Sequence, residues 1–281
     1  MRGMVTTLCL LLTGTSGVAT PVAQLKASAD GKIASVEGKV SGRILHFDVD
    51  SGALNSIIDL RVAKSLGISL LGYGMIRGAG TGSVPIRHLG RIMISLGAAS
   101  FEPSEPIAVD LSNVGQTTPL DGLLGFDFFR RYVVDLDYDR SIITLYDPDS
   151  YVYRGSGATI PLLIRPPRIF VRVIVAARGV PSQQHLLRLD TGSDDDVDDD
   201  IVMRSSAPKK PILGGVGIGS RFRSYLGVVT ELRLGPLTLH NLSSATGGVQ
   251  LIGNGVLRRF RVVIDTQRSV MYLTPRKTVR T

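Results

Sequence analysis

Two carboxylates stand at the ends of matching tripeptides, Asp50-Ser51-Gly52 in LHFDVDSG and Asp190-Thr191-Gly192 in LLRLDTGS. Carboxyl groups brought together can hydrolyse an amide with neither a metal nor a covalent intermediate. One takes a proton from water while the other gives one to the carbonyl oxygen. Like charges at close range cannot both ionise, so such a pair holds a single proton, and its two apparent pKa values belong to the pair. A lone tripeptide of this kind is an ordinary turn. Two in matching contexts make Asp50 and Asp190 a candidate catalytic pair.

Each acid needs an element to carry it. Leu45, Phe47 and Val49 alternate before the first, and Leu187 and Leu189 before the second, so each carboxylate is expected where a half-buried strand enters a turn. A Gly two residues after each acid, Gly52 or Gly192, lets the backbone turn sharply and approach a carboxylate. The surroundings are duplicated as well. Shifted by 128 positions, residues 123–147 align without a gap on 251–275, with nine identities in 25: Leu123, Gly125, Arg130, Arg131, Val134, Asp137, Arg140, Ser141 and Leu145 recur. Average composition gives about one or two by accident. The acids themselves pair at an offset of 140, so the halves differ by a 12-residue length change between acid and repeat. A repeat this long describes duplicated lobes and not a solenoid.

Two Asp-Ser/Thr-Gly strings, followed by the triplets Leu123-Leu124-Gly125 and Leu251-Ile252-Gly253, resemble the aspartic proteases of the pepsin and retropepsin clan. FDVDSGALNSIIDLRVAKSLGI is similar to the first-lobe signature of bacterial retropepsin-like proteins, and residues 123–147 to its closing segment. The resemblance implies a mainly β fold of two homologous β-barrel lobes related by pseudo-twofold symmetry. It also implies that the hydroxyls of Ser51 and Thr191 bond across the lobe junction and that the two triplets thread behind the acids. Gly78, Ala79 and Gly80, in the glycine-rich stretch 72–83, take the place of the tip of a flap over substrate. The second glycine-rich stretch, 212–222, is its counterpart. Ser193, where the first lobe has Ala53, is expected by the same analogy to bond Asp190. The activity implied is peptide-bond hydrolysis without cofactor or metal. The alternative is an inactive relative that keeps the fold as a peptide-binding or structural module.

The remaining chain bounds these expectations. Arg2, the apolar run Met4–Leu12 and the small residues Gly17-Val18-Ala19 read as a signal peptide over residues 1–23, cleaved after Ala19 or Ala23, for a periplasmic or secreted protein. The sole cysteine, Cys9, falls inside it, which excludes thiol chemistry in the mature chain. Residues 24–31 read as a linker. The lobes are expected at 24–150 and 151–281, with 148–160 between them, and no later stretch has the length of a membrane span. Asp59 followed by LRVAKSLG reads as a capped short helix.

The net charge of +8 comes from 25 Arg and 7 Lys spread through both halves, with no aromatic interleaving or nucleic-acid motif. His46, His88, His185 and His240 lack metal-ligand spacing. The run Asp194–Asp196 and Asp198–Asp200 lacks the alternation of a calcium loop and reads as a solvated acidic turn or helix start. The partner expected is a peptide or unfolded protein, as the substrate of a monomer.

Overall fold

The computed structural model describes residues 19–28, 33–112, 114, 120–215 and 217–276. Most of the expected signal peptide, Cys9 included, lies outside the described residues. In the first half the chain forms β1 (Ala23–Lys26), β2 (Ser35–Val40), β3 (Arg43–Val49), β4 (Ile57–Asp59), α1 (Leu60–Ser65), β5 (Leu70–Ile76) and β6 (Val84–Leu89). It continues through β7 (Ile94–Leu96), β8 (Ala99–Phe101), β9 (Ile107–Val109), β10 (Gly122–Leu124), α2 (Phe126–Arg131), β11 (Val133–Asp137) and β12 (Ile142–Tyr146). The second half comprises β13 (Ala158–Arg165), β14 (Arg168–Ala177), β15 (Val180–Leu189), β16 (Val197–Asp198), α3 (Ile201–Arg204), β17 (Lys210–Gly214) and β18 (Phe222–Leu234). It ends with β19 (Leu237–Ala245), β20 (Leu251–Ile252), α4 (Asn254–Leu257), β21 (Phe260–Asp265) and β22 (Val270–Pro275).

Local sequence accounts for the elements nearest the two acids. The β2–β3 hairpin turns on Ser41 and Gly42, both at positive φ (50° and 81°), the backbone that a two-residue hairpin loop requires. Along β3 the apolar Leu45, Phe47 and Val49 are buried, and the strand delivers Asp50 at its end. The hairpin of β14 and β15 does the same for Asp190. The Asp59 carboxylate caps α1 by accepting from the N–H groups of Arg61 and Val62.

The duplication appears as symmetric strand pairing. β14, β15, β20, β16, β19 and β18 close on themselves through the β14–β18 pairing, forming a six-stranded barrel. In the first half β2, β3, β10, β4, β9 and β6 follow the same order. There the strand matching β18 is broken into β6 and β7, and it is β7 that returns to β2. Between the halves runs the sheet β1-β12-β11-β21-β22-β13. At its centre Val134 pairs with Ile264, Asp135 with Val263 and Leu136 with Val262. Positions 128 apart are equivalent by sequence, so this register maps onto itself when the halves are exchanged, and a pseudo-twofold axis passes between Asp135 and Val263. Val134, Leu136, Val262 and Ile264 are buried and belong to one apolar core spanning both halves. Each such side chain contributes about 1.5–3 kcal/mol.

Two sequence expectations are corrected here. Residues 23–26 are not linker: β1 adds to the edge of β12, with Ala23 opposite Leu145, and buries Ala23 and Leu25. The acidic run leads into a helix start and is solvated only in part: Asp194, Asp195 and Asp200 are exposed, whereas Asp196, Asp198 and Asp199 turn inward. Asp199 is buried, accepts from the Ile201 N–H that begins α3, and pairs with His185 Nδ1 at 2.6 Å. Asp196 accepts from the Ser243 N–H and Asp200 from the Gly247 N–H. Among the described residues, no helix is long and apolar enough to cross a membrane.

Candidate active site

The symmetric frame brings the ends of β3 and β15 together. Ser51 and Thr191 exchange hydrogen bonds: the Ser51 N–H donates to Thr191 Oγ1 (2.9 Å) and the Thr191 N–H to Ser51 Oγ (3.0 Å). Each hydroxyl then donates across the junction, Ser51 to the Leu189 carbonyl (3.0 Å) and Thr191 to the Val49 carbonyl (2.6 Å). Both residues are 1% exposed, so all four bonds are sheltered from competing water. Ser51 and Thr191, with the carbonyls of Val49 and Leu189, thus form one reciprocal junction.

Behind each acid runs a short strand from the apolar-apolar-Gly triplets. β10 pairs parallel with β3 and antiparallel with β4, while β20 pairs parallel with β15 and antiparallel with β16. The Leu124 carbonyl accepts from the Asp50 N–H (3.0 Å) and the Ile252 carbonyl from the Asp190 N–H (3.1 Å). A side chain on Gly125 would lie 2.3 Å from the Asn55 carbonyl, and one on Gly253 would lie 2.5 Å from the Asp195 carbonyl, so close backbone approach requires both glycines. Leu123 lies in the apolar cluster of the first lobe, Leu251 and Ile252 in buried positions of the second.

The carboxylates meet at this junction. Asp50 Oδ1 accepts from the N–H groups of Gly52 (2.8 Å) and Ala53 (3.0 Å), and Asp190 Oδ1 from Gly192 (3.1 Å). Burial first, and then the nearby charge of Asp190, push Asp50 up to about 8, against the lowering influence of Arg188 and the two N–H donors.

Sequence reasoning missed two groups here. Arg188 donates to Asp190 Oδ2 at 2.6 Å. Asn254, buried at the start of α4, donates to the Thr191 carbonyl (2.6 Å) and accepts from the Tyr138 hydroxyl (2.8 Å). The signal for each was a break in the repeat, Arg188 against Asp48 and Asn254 against Phe126. The expectation for Ser193 is corrected. Its hydroxyl exchanges hydrogen bonds with Asp195, not with Asp190, whose second oxygen is taken by Arg188.

Two hairpins complete the enclosure. β5 and β6 form the first, with residues 77–83 at its tip, and β17 and β18 the second. Within the glycine-rich stretch 72–83, residues 72–76 belong to β5 and 77–83 form the turn of the hairpin. The tips touch. Thr81 and Ser220 form an antiparallel bridge, and the Gly80 N–H donates to the Ile218 carbonyl (3.0 Å). Side chains on Gly78 or Gly80 would collide with backbone of Ile218 or Ser220, and Ala79 faces Gly217. Ile218 also packs with Ala53, Ile76 and Val84 against the first-lobe cluster of Ile57, Ile86 and Leu123, so the second hairpin rests on the wall beside Asp50.

Comparison with known families finds a match in the first half of the chain. Residues 36–128 match the aspartyl protease family. The match runs from β2 into α2 and takes in Asp50, the β5–β6 hairpin and Leu123-Leu124-Gly125. The mainly β fold with its closed barrel is consistent with an aspartic protease fold. A comparison with curated proteins finds no match. The second half resembles the matched first half through the internal repeat and the symmetric strand pairing.

Proposed function

We propose that the protein is an aspartic endopeptidase in which Asp50 and Asp190 share one proton and activate water between them. The observation that carries this reading is the reciprocal packing of the tripeptides, each glycine against the carboxylate of the other lobe: a side chain on Gly52 would touch Asp190, and one on Gly192 would touch Asp50. Asp50, pushed up to about 8, keeps the proton at neutral pH. Asp190 then takes a proton from water as its oxygen bonds to the peptide carbon, and Asp50 gives its own to the carbonyl oxygen. Collapse of the resulting diol breaks the C–N bond. The amine leaves with the proton held by Asp190, and a diol hydroxyl returns one to Asp50. A peptide in extended form would lie beneath the two hairpins, with alternate side chains to either side.

Both acids belong to one chain, which supports a monomeric enzyme. For residues 1–19 we propose a cleaved export signal and a periplasmic or secreted location. Cleavage after Ala19 leaves whole the strand edge that begins with the Val22 N–H bonded to the Leu145 carbonyl, whereas cleavage after Ala23 removes it. The protein lacking residues 1–19, incubated with unfolded protein and a peptide library from acidic to weakly alkaline pH, is expected to cleave internal bonds. Asp50→Asn and Asp190→Asn are expected to abolish cleavage with the fold retained. Absence of cleavage by the unaltered protein at every pH would leave the inactive binding module in its place.

A further inference from the structure

One break in the symmetry of the junction places a charge against the dyad. Two residues before Asp50 stands Asp48, and two before Asp190 stands Arg188. Side chains two apart on a strand leave it on the same face, here the face opposite the core-facing Leu187 and Leu189. Asp48 turns to the Ser35 hydroxyl of its own lobe. Arg188 instead reaches Asp190 Oδ2 at 2.6 Å, with its side chain 12% exposed. The neighbouring strands β14 and β20 set Phe170 and Leu251 opposite it, and neither titrates. Acids lie near the pair: Asp50 from the first half, and Asp198 from β16, with Asp195 and Asp200 beside it. Arg188 thus sits as a cation among carboxylates, in contact with one member of the dyad.

We propose that Arg188 is the positioning residue that decides which acid of the dyad is ionised, holding Asp190 as the carboxylate that takes the proton from water and leaving the shared proton on Asp50. The proposal rests on the peptidase reading above. A cation in sheltered contact with one carboxylate favours its charged form, and in a pair that shares one proton this moves the proton to the other member. Asp198 and its acidic neighbours act in the opposite sense, raising the cost of a charge on Asp190. The guanidinium offsets them. Without it, ionisation of both members moves to higher pH and the proton is no longer assigned to Asp50. The Nε–H of Arg188 is buried without a partner among the described residues, so the guanidinium is fixed by the carboxylate and not by a wider structural network.

The test uses the mature protein as Arg188→Met and Arg188→Lys variants, with two readouts. One is the pH dependence of kcat/KM for a peptide substrate. The other, independent of activity, is titration of the Asp50 and Asp190 carboxyl carbons by NMR. Arg188→Met is expected to move the acid limb and the Asp190 titration upward by about one pH unit or more, while Arg188→Lys stays close to the unaltered protein. If Arg188→Met does not fold, Arg188→Gln, which keeps a donor without the charge, is read in the same way. A merely structural residue would alter stability and leave both limbs in place. An Asp190 titration unchanged on loss of the charge overturns the proposal. Loss of the charge that moves that titration in a protein that cleaves nothing upholds the ion pair's role and refutes the peptidase reading.

Discussion

Gly52 lies against Asp190 so closely that a Cβ on it would stand 2.3 Å from Oδ2, and Gly192 holds the same relation to Asp50. Neither glycine has positive φ among the described residues, so their need is for space and not for backbone freedom. Gly52→Ala or Gly192→Ala must therefore displace the acid of the opposite lobe. A displacement of this kind is expected to lower kcat by about 10²-fold or more. Steady-state kinetics of each variant, with circular dichroism to verify folding, checks this. Near-normal kcat in either would mean that the acids act elsewhere.

The shared proton sets a pH limit. With Asp50 pushed up to about 8, activity is expected to fall as pH rises through that value, because the proton on Asp50 is lost. Stability follows the same sign. A carboxyl whose folded-state pKa is raised adds stability that is fully present below its unfolded value, ordinarily about 3.9, and is lost as pH rises through its folded value. Asp50→Asn should therefore raise Tm relative to the unaltered protein most at pH above 8 and little in acid. Melting curves across that range measure it. An equal shift at all pH values contradicts the assigned pKa.

The parts of this site that could be read from the sequence are those that occur twice or have a period. Asp50 and Asp190 follow alternating strands, and Leu123-Leu124-Gly125 recurs as Leu251-Ile252-Gly253, so hairpin, turn and returning strand were legible in both halves. β1 was not, because AQLK is too short and polar to announce a strand and gains its place only by pairing with β12. The inward members of the run Asp194–Asp200 were not legible because their partners, His185 for Asp199 and the Ser243 N–H for Asp196, are remote in sequence or unremarkable as types. Arg188 was hidden for a different reason: its partner Asp190 is only two residues on, but the string LLRLDTGS does not say whether the side chain turns to that carboxylate or, as Asp48 does, to a neighbouring strand.

The hydroxyl of Thr191 bonds two groups of the other lobe, the Ser51 N–H and the Val49 carbonyl. Thr191→Val keeps the shape and leaves both unpaired in a buried place, which is expected to cost about 1–3 kcal/mol for each group. Thr191→Ser keeps the hydroxyl and should recover most of that loss. Urea unfolding of the three proteins gives the values directly. If Thr191→Val matches the unaltered protein in midpoint, the junction does not hold the lobes together.

The bridge between Thr81 and Ser220 closes the roof with two backbone bonds, Thr81 N–H to the Ser220 carbonyl (2.8 Å) and Ser220 N–H to the Thr81 carbonyl (3.0 Å). Residues exchanging both bonds in an antiparallel pair have Cα atoms about 5.5 Å apart, a separation that a disulfide spans. The sequence has a single cysteine, Cys9, within the segment expected to be removed, so Thr81→Cys/Ser220→Cys would introduce the one possible intramolecular disulfide of the mature chain. Exposed, polar tips of this kind open easily because few buried contacts hold them. If substrate enters by parting the tips, oxidation of the double variant is expected to lower cleavage of an unfolded protein by about tenfold or more, and reductant to restore it. Short peptides threaded from the open ends of the cleft should be affected less. Equal rates for the oxidised and reduced forms on both substrates would show that the two hairpins do not gate the site.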